Sequence, residues 1–512
     1  MGHIYREASD FDQAVARYTQ SINLYETFPE FTTHLYHAHK GRFFCYLKQQ
    51  NDPLTQAELS ILFDLMNKYR HQISHEDSRN TFFDVEQSVV DAAIDFEYSR
   101  MNNRDKAFNY SNSSRARSLL DMLNADPDIR ARVQNADIKF RAVAEPRSLE
   151  TVKQELPEQA QVVQYVVLED KLLIFVISRN NFRDTTQPIS KRDLNEKLRR
   201  FLNIVSRLPE DDESEELLLA KDLYSILIKP VETLLDKQKV LCIVPDGTLS
   251  YLPFAALISP ESGKYLIEDR LLMTSPSPSV FLTCWENALK KTGSKEEIVL
   301  SVGNPTFDRA AFPDFDDLPE AGNEAIEVSK LYKPLRLPLT ENLATRAAVM
   351  RNIENSDVIH LALHSQVDDE VPLRSKLLLA ATPKTPALAQ ASDSVISAYE
   401  IYNLKLSQTR LVVLSSCQSG AGRYYGGEGV SSLARAFMGA GVPLVVASLW
   451  PVQSNATEKL MVNFHSHRTQ ERLSTVEALR RAQQQMARGP AENLRRPYYW
   501  AAFTVTGGYA AF

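Results

Sequence analysis

The sequence predicts an α/β fold, a doubly wound and mainly parallel sheet flanked by helices, preceded by an all-α helical region. Three observations predict it. Residues 4–125 carry almost no glycine, and their apolar residues recur at three and four, the period of an amphipathic helix. Farther on, short apolar runs such as KVLCIV (239–244), VIHLAL (358–363) and LVVL (411–414) are bounded by polar residues, as in strands buried on both faces. Those runs alternate with stretches of helical period, the pattern of parallel strands joined by helical crossovers.

The helical region comes first. In IYREASDFDQAVARYTQSINLYETFPE (4–30), the turn Ser9–Asp10–Phe11 separates two helices, Ala14, Tyr18 and Ile22 mark one face, and Pro29 stands near the end. This resembles the tetratricopeptide (TPR) unit of helix, turn and helix. FEYSRMNNRDKAFNYSNSSRARSLLDML (96–123) repeats it, with its turn at Asn103–Arg104–Asp105 and Ala107, Tyr110 and Ser114 on the next helix. Stacked repeats need roughly three units to be stable, so the array is expected to be short or capped by the next domain.

Residues 126–158 read as a polar connector with Pro127, Pro146 and Pro157. QVVQYVVLEDKLLIFVIS (161–178) predicts a hairpin about Glu169–Asp170. A charged helical stretch spans 190–236, in which the acidic run 211–216 reads as a solvated helix start and not as a metal site. Strands are expected at 239–244, 297–305, 358–363, 375–380, 411–414, 442–450 and 500–508. Helices are expected at 321–332, 346–354, from Glu428, and twice within 455–488. The domain reading is a helical domain at 1–125, a connector at 126–158, a first α/β part at 159–290 and a second at 291–512.

Composition narrows the function classes. A chain of 512 residues suits two or three domains, and its net charge of −7 argues against a broad basic surface for nucleic acid. Cys45, Cys242, Cys284 and Cys417 are scattered with no C-x-x-C pair, so neither a zinc site nor a disulfide framework is expected. MGHIYREASD lacks a positive-then-apolar leader, and no apolar run approaches the ~18 residues of a membrane span. The expectation is a cytoplasmic protein without direct membrane insertion. The glycine-rich GAGRYYGGEG (420–429) lacks G-x-x-x-x-G-K-[ST], and no cofactor is expected.

The candidate chemistry lies at two strand ends. LVVL runs into Ser415, Ser416 and Cys417, and VIHLAL runs into His364. Ligands of open α/β sheets bind at the carboxyl ends of strands. Cys417 lies 53 residues after His364, close to the spacing of histidine and cysteine in caspases. An imidazole beside a thiol can take its proton, and the thiolate can then attack an acyl carbon. The residues alone leave Cys417 open between such a nucleophile and an inert buried thiol. His360, inside its strand, reads as a packed core histidine.

The segments VPDGTLSYLPFAAL, YLIEDRLLMTSPSPSVF, VIHLALHS, LVVLSSCQSGAG, GEGVSSLARAFMGAGVPLVVASLWPV and PYYWAAFTVTGG resemble, in order, the CHAT domain, a family of caspase- and separase-like cysteine peptidases often joined to TPR repeats. The likeness spans about 150–512 and implies a caspase-like sheet, a general acid/base at His364 and a nucleophile at Cys417. It also implies oxyanion donors at the main chain of Ser365 and Cys417. Relatives usually carry glycine where Ser365 stands.

After SLW-x-V many relatives carry aspartate, where this chain has Gln453 and Ser454. The missing charge implies a P1 residue that is not basic, although Asp368, Asp369 and Glu370 offer another source of acidity. The reading is a cysteine endopeptidase for a protein substrate. Its TPR-like helices would take a regulatory protein or peptide, and the likeness also suggests bacterial immunity. The alternative is an inactive scaffold of the same fold. A serine hydrolase using Ser416 or Ser419 lacks the G-x-S-x-G elbow.

Overall fold

The computed structural model describes residues 1–28, 31–72, 76–124, 144–209, 212–291, 296–381, 394–416, 422–425 and 429–511, except for the side chains of 69–85 and 423–431. The N-terminal region is helical, with Phe11–Tyr25, Thr32–Lys48, Asp52–Gln72, Glu76–Asp95, Arg104–Ser113 and Arg117–Asn124. Asp10 and Asn103 cap the first and fifth of these, each accepting a main-chain N–H three residues on. These caps satisfy a donor the helix leaves orphaned, and they fall at the predicted turns. Ala14, Tyr18 and Ile22 are the buried residues of Phe11–Tyr25. A Cβ at Gly41 would fall 2.2 Å from the Tyr18 ring, so this glycine lets Thr32–Lys48 close over that face.

The strands in chain order are β1 (Ala160–Val167), β2 (Leu172–Ser178), β3 (Asn181–Gln187), β4 (Val240–Val244), β5 (Leu271–Thr274), β6 (Val299–Pro305), β7 (Leu339–Glu341), β8 (Val358–Ala362), β9 (Ser365–Gln366), β10 (Lys376–Leu378), β11 (Val395–Ser397), β12 (Leu411–Leu414), β13 (Arg423–Tyr425), β14 (Gly429–Ser431), β15 (Leu444–Ser448) and β16 (Phe503–Gly507). Eleven of them form one sheet in the order β3-β2-β1-β4-β5-β16-β15-β12-β8-β6-β7. Pairing is parallel throughout except at β3–β2, β2–β1 and β16–β15. The sheet is thus two parallel blocks, β1-β4-β5-β16 and β15-β12-β8-β6-β7, that run in opposite directions. β1, β4, β8, β12 and β15 are buried along their whole length, as their unbroken apolar runs require.

Several expectations change. SKLLLA supplies β10, but in a separate antiparallel sheet β11-β10-β9. The polar β3 was not expected, because an edge strand needs no apolar alternation. The last strand pairs antiparallel with β15. The helix expected from Glu428 is Leu433–Gly439, preceded by the β13–β14 hairpin, and Glu428 lies outside the described residues. Within the expected connector, Leu149–Glu155 is a helix capped by Ser148, with Leu149 and Val152 buried.

The helices and the sheet share one apolar core, in which Tyr36, Phe43 and Phe108 belong with Tyr165 and Phe175. Polar ties reinforce it. Arg115 donates to the carbonyls of Tyr165 and Pro245, each at 2.7 Å, and pairs with Asp246 at 3.3 Å. Tyr98 donates to Asp184 on β3 at 2.6 Å.

On β6, a Cβ at Gly303 would fall 2.1 Å from the carbonyl oxygen of Ala321 in helix Pro319–Lys330. Gly303→Ala is therefore expected to push that helix off the sheet. The predicted loss is near the upper end of the ~1–3 kcal/mol typical of overpacking, measured by urea denaturation.

Candidate active site

β8 and β12 are parallel neighbours, paired from Val358↔Leu411 to Leu361↔Leu414. Past β12 come Ser415 and Ser416, both buried. Cys417, the expected nucleophile and oxyanion donor, lies outside the described residues, as does Ser419.

His364 follows β8 and is half-buried. The ring centroids of Phe315 and Phe307 lie 4.7 and 5.5 Å from its imidazole. Its Nε2 sits 2.6 Å from the main-chain oxygen of Asp316. A carbonyl only accepts, so Nε2 carries the proton and Nδ1 is the basic nitrogen. Burial lowers the His364 pKa from its ordinary value, opposed by the Asp316 carbonyl and by the charges of Asp316 and Asp317. The ring is thus held neutral, as a base, in one orientation. The hydrogen bond from His364 uses the main chain of Asp316, which carries no sequence signal, and Phe307 and Phe315 read only as scattered aromatics.

At the ends of β8 and β12 lies a small pocket. Its lining includes Leu363, which precedes His364, and Ser415 and Ser416, which precede Cys417. Ser448 at the end of β15, Ser454 and Glu324 contribute as well. The Ser448 hydroxyl donates to the carbonyl of Ser416 at 2.6 Å. His360 points away from solvent, fully buried, with Nε2 2.9 Å from Oε1 of Glu324. It is a core histidine, as expected, but one set in polar company.

The CHAT domain family model matches residues 217–508. The chain belongs to the CHAT domain family. Helix–turn–helix units ahead of the CHAT domain give it a TPR–CHAT organisation. The match begins after β3, later than the resemblance about 150–512 suggested, so the β1–β2 hairpin falls outside it. Tetratricopeptide repeat protein 28 of Mus musculus is 27% identical over 348 residues, covering 59% of this chain and 14% of the relative. Its Homo sapiens counterpart is 27% identical over 341 residues, with the same coverage. The chain thus spans about one seventh of the curated relatives it matches. A Saccharomyces cerevisiae separase, solved with securin, shares the fold at a TM-score of 0.54 and 11% identity, covering 90% of this chain and 38% of that one.

Within the CHAT domain the remaining candidates separate. Ser365 is buried in β9 opposite Leu377, and it is not among the residues of positive φ, so serine costs no backbone strain there. Ser454 reaches the small pocket, whereas Gln453 is exposed and caps helix Ser454–Thr469 through its carbonyl. Asp368 and Asp369 line a different, broad groove with Glu370 and Tyr399. Asp368 there accepts from the main-chain N–H of Glu370 and Val371, which makes it a turn-former. Among the described residues no helix is long and apolar enough to cross a membrane, and no cluster of metal-ligating side chains occurs.

Proposed function

We propose that this CHAT domain is a cysteine endopeptidase with Cys417 as nucleophile and His364 as general base and acid. One observation carries the reading. His364 and Cys417 each stand three residues beyond the same strand pair, Leu361↔Leu414, and neighbouring strands lie about 4.8 Å apart. In the proposed cycle, Nδ1 of His364 takes the thiol proton and the sulfur attacks the peptide carbonyl. The main-chain N–H groups of Ser365 and Cys417 hold the oxyanion. The imidazolium then protonates the leaving amine, and water, deprotonated by the same nitrogen, releases the acyl group.

The division proposed with it is a TPR-like domain at 1–125, a connector at 126–158, and CHAT parts at 159–290 and 291–512. The helical domain would seat a regulatory protein or peptide, since stacked helix pairs present concave surfaces. A cytoplasmic setting and a role in bacterial immunity, which the resemblance suggests, belong to the same proposal.

Thiol labelling tests it. Cys45, Cys242 and Cys284 are buried, and burial pushes Cys45 up to about 11 and Cys284 up to about 12. Limiting iodoacetamide near neutral pH is expected to label Cys417 preferentially, and more slowly in His364→Ala. Equal or no labelling of Cys417 would instead favour a scaffold that keeps the fold.

A further inference from the structure

The small pocket at the ends of β8 and β12 contains more acceptor than it satisfies. Glu324, Ser415 and Ser416 line it and are each at least nine-tenths buried. Oε1 of Glu324 and the hydroxyls of both serines have no hydrogen-bond partner among the described residues. Buried polar groups in that condition are rare and costly. Three converging on one pocket indicate a ligand group that donates.

Whether the pocket carries charge depends on what faces Glu324. His360 Nε2 lies 2.9 Å from Oε1 but off the hydrogen-bond direction, so the contact leaves that oxygen unpaired. Behind His360 runs a buried chain. Arg468 donates to the Tyr332 hydroxyl at 3.0 Å, Tyr332 lies 2.7 Å from Nδ1 of His465, and Nε2 of His465 lies 3.1 Å from Nδ1 of His360.

The arginine can only donate, so the tyrosine oxygen accepts there and leaves the tyrosine proton free for His465. With that tautomer the Nε2 proton of His465 goes to Nδ1 of His360. His465 is neutral in this arrangement. Burial, His360 and Arg468 hold the His465 pKa well below its ordinary value, in agreement. The cation at the far end is already paired, since Arg468 lies 3.0 Å from Glu297. Along this chain Tyr332, His465 and His360 therefore stand between the Arg468 cation and the Glu324 carboxyl. Burial, followed by the charges of Glu324, Glu320 and Glu327, pushes the neighbouring Glu458 carboxyl up, as expected of a negative field.

We infer that Glu324 is the specificity-determining residue of a pocket for a basic side chain, Arg or Lys, at the residue whose carbonyl Cys417 attacks. This rests on the peptidase reading above. It reverses the expectation drawn from Gln453 and Ser454: the charge missing there is supplied by helix Pro319–Lys330.

The test is a peptide library varied at P1, cleaved by the full chain and by Glu324→Gln. Arg or Lys is expected to exceed Leu in kcat/KM by about tenfold or more, and the ratio is expected to collapse in Glu324→Gln and survive in Glu324→Asp. Should Glu324→Gln not fold, the wild-type ratio and Glu324→Asp decide. A neutral P1 preference, or a ratio unmoved by Glu324→Gln, overturns the inference while the peptidase reading stands. If nothing is cleaved, that reading fails, and agmatine binding to Cys417→Ala decides this one. Binding lost on adding Glu324→Gln supports the pocket, and no binding overturns it.

Discussion

His364→Ala is expected to lower kcat/KM for peptide cleavage by about 10²–10⁴-fold, the range for a positioned general acid–base group. The loss should fall on kcat more than on KM, because the imidazole moves protons and the pocket residues bind substrate. The wild-type acid limb offers a finer check. Burial holds the His364 pKa below its ordinary 6.5, and the ring is a base only when unprotonated. Activity should therefore persist as pH falls to 6.5 and decline below it. Phe315 packs 4.7 Å from the imidazole. Phe315→Ala admits water, relieves the burial, and should move the acid limb up toward 6.5. A limb that stays in place would mean that Phe315 does not set the ring's environment.

Arg115→Ala is expected to destabilise the protein by about 3–5 kcal/mol, measured by urea denaturation. The guanidinium is buried and meets four acceptors: the carbonyls of Tyr165 and Pro245, the hydroxyl of Ser111 and the carboxylate of Asp246. Removing it strands those carbonyls without their donor and leaves a carboxylate without its cation. Burial and the Asp246 charge already push neighbouring Asp91 up to about 6, and Arg115 opposes the shift. Arg115→Lys should recover only part of the loss, because an ammonium cannot reproduce the fork that reaches two carbonyls and a carboxylate together. A loss under 1 kcal/mol would show that the apolar core alone holds the helices to the sheet.

The central strands were legible because a doubly covered sheet demands unbroken apolar runs. β8 and β12 could therefore be placed from their runs, and His364 with them. The edge resisted reading for the opposite reason. β3 is Asn-Phe-Arg-Asp-Thr-Thr-Gln, polar but for Phe182, and owes its state to pairing with β2. β10 was read as a strand but assigned to the wrong sheet, since three residues specify extension without specifying a neighbour. Around the site, sequence marked His364 by its position after a strand. It was silent on the Asp316 carbonyl, which any residue provides. Glu324 read as one more acid on an amphipathic helix, because nothing local distinguishes a carboxylate facing solvent from one facing a cleft.

The reversal between β15 and β16 leaves the slab with two unlike ends. The carboxyl ends of β8 and β12 look one way, toward His364. The carboxyl end of β4 looks the other way, where Pro245 is gripped by Arg115 from the helical layer. A strand of five residues separates these ends by about 15 Å. A protein clasped near Arg115 and a polypeptide threaded past His364 would thus contend for no common atoms. The two are nonetheless tied outside the sheet, because Tyr251, just past that end of β4, donates to the carbonyl of Gly422, five residues after Cys417, at 2.6 Å.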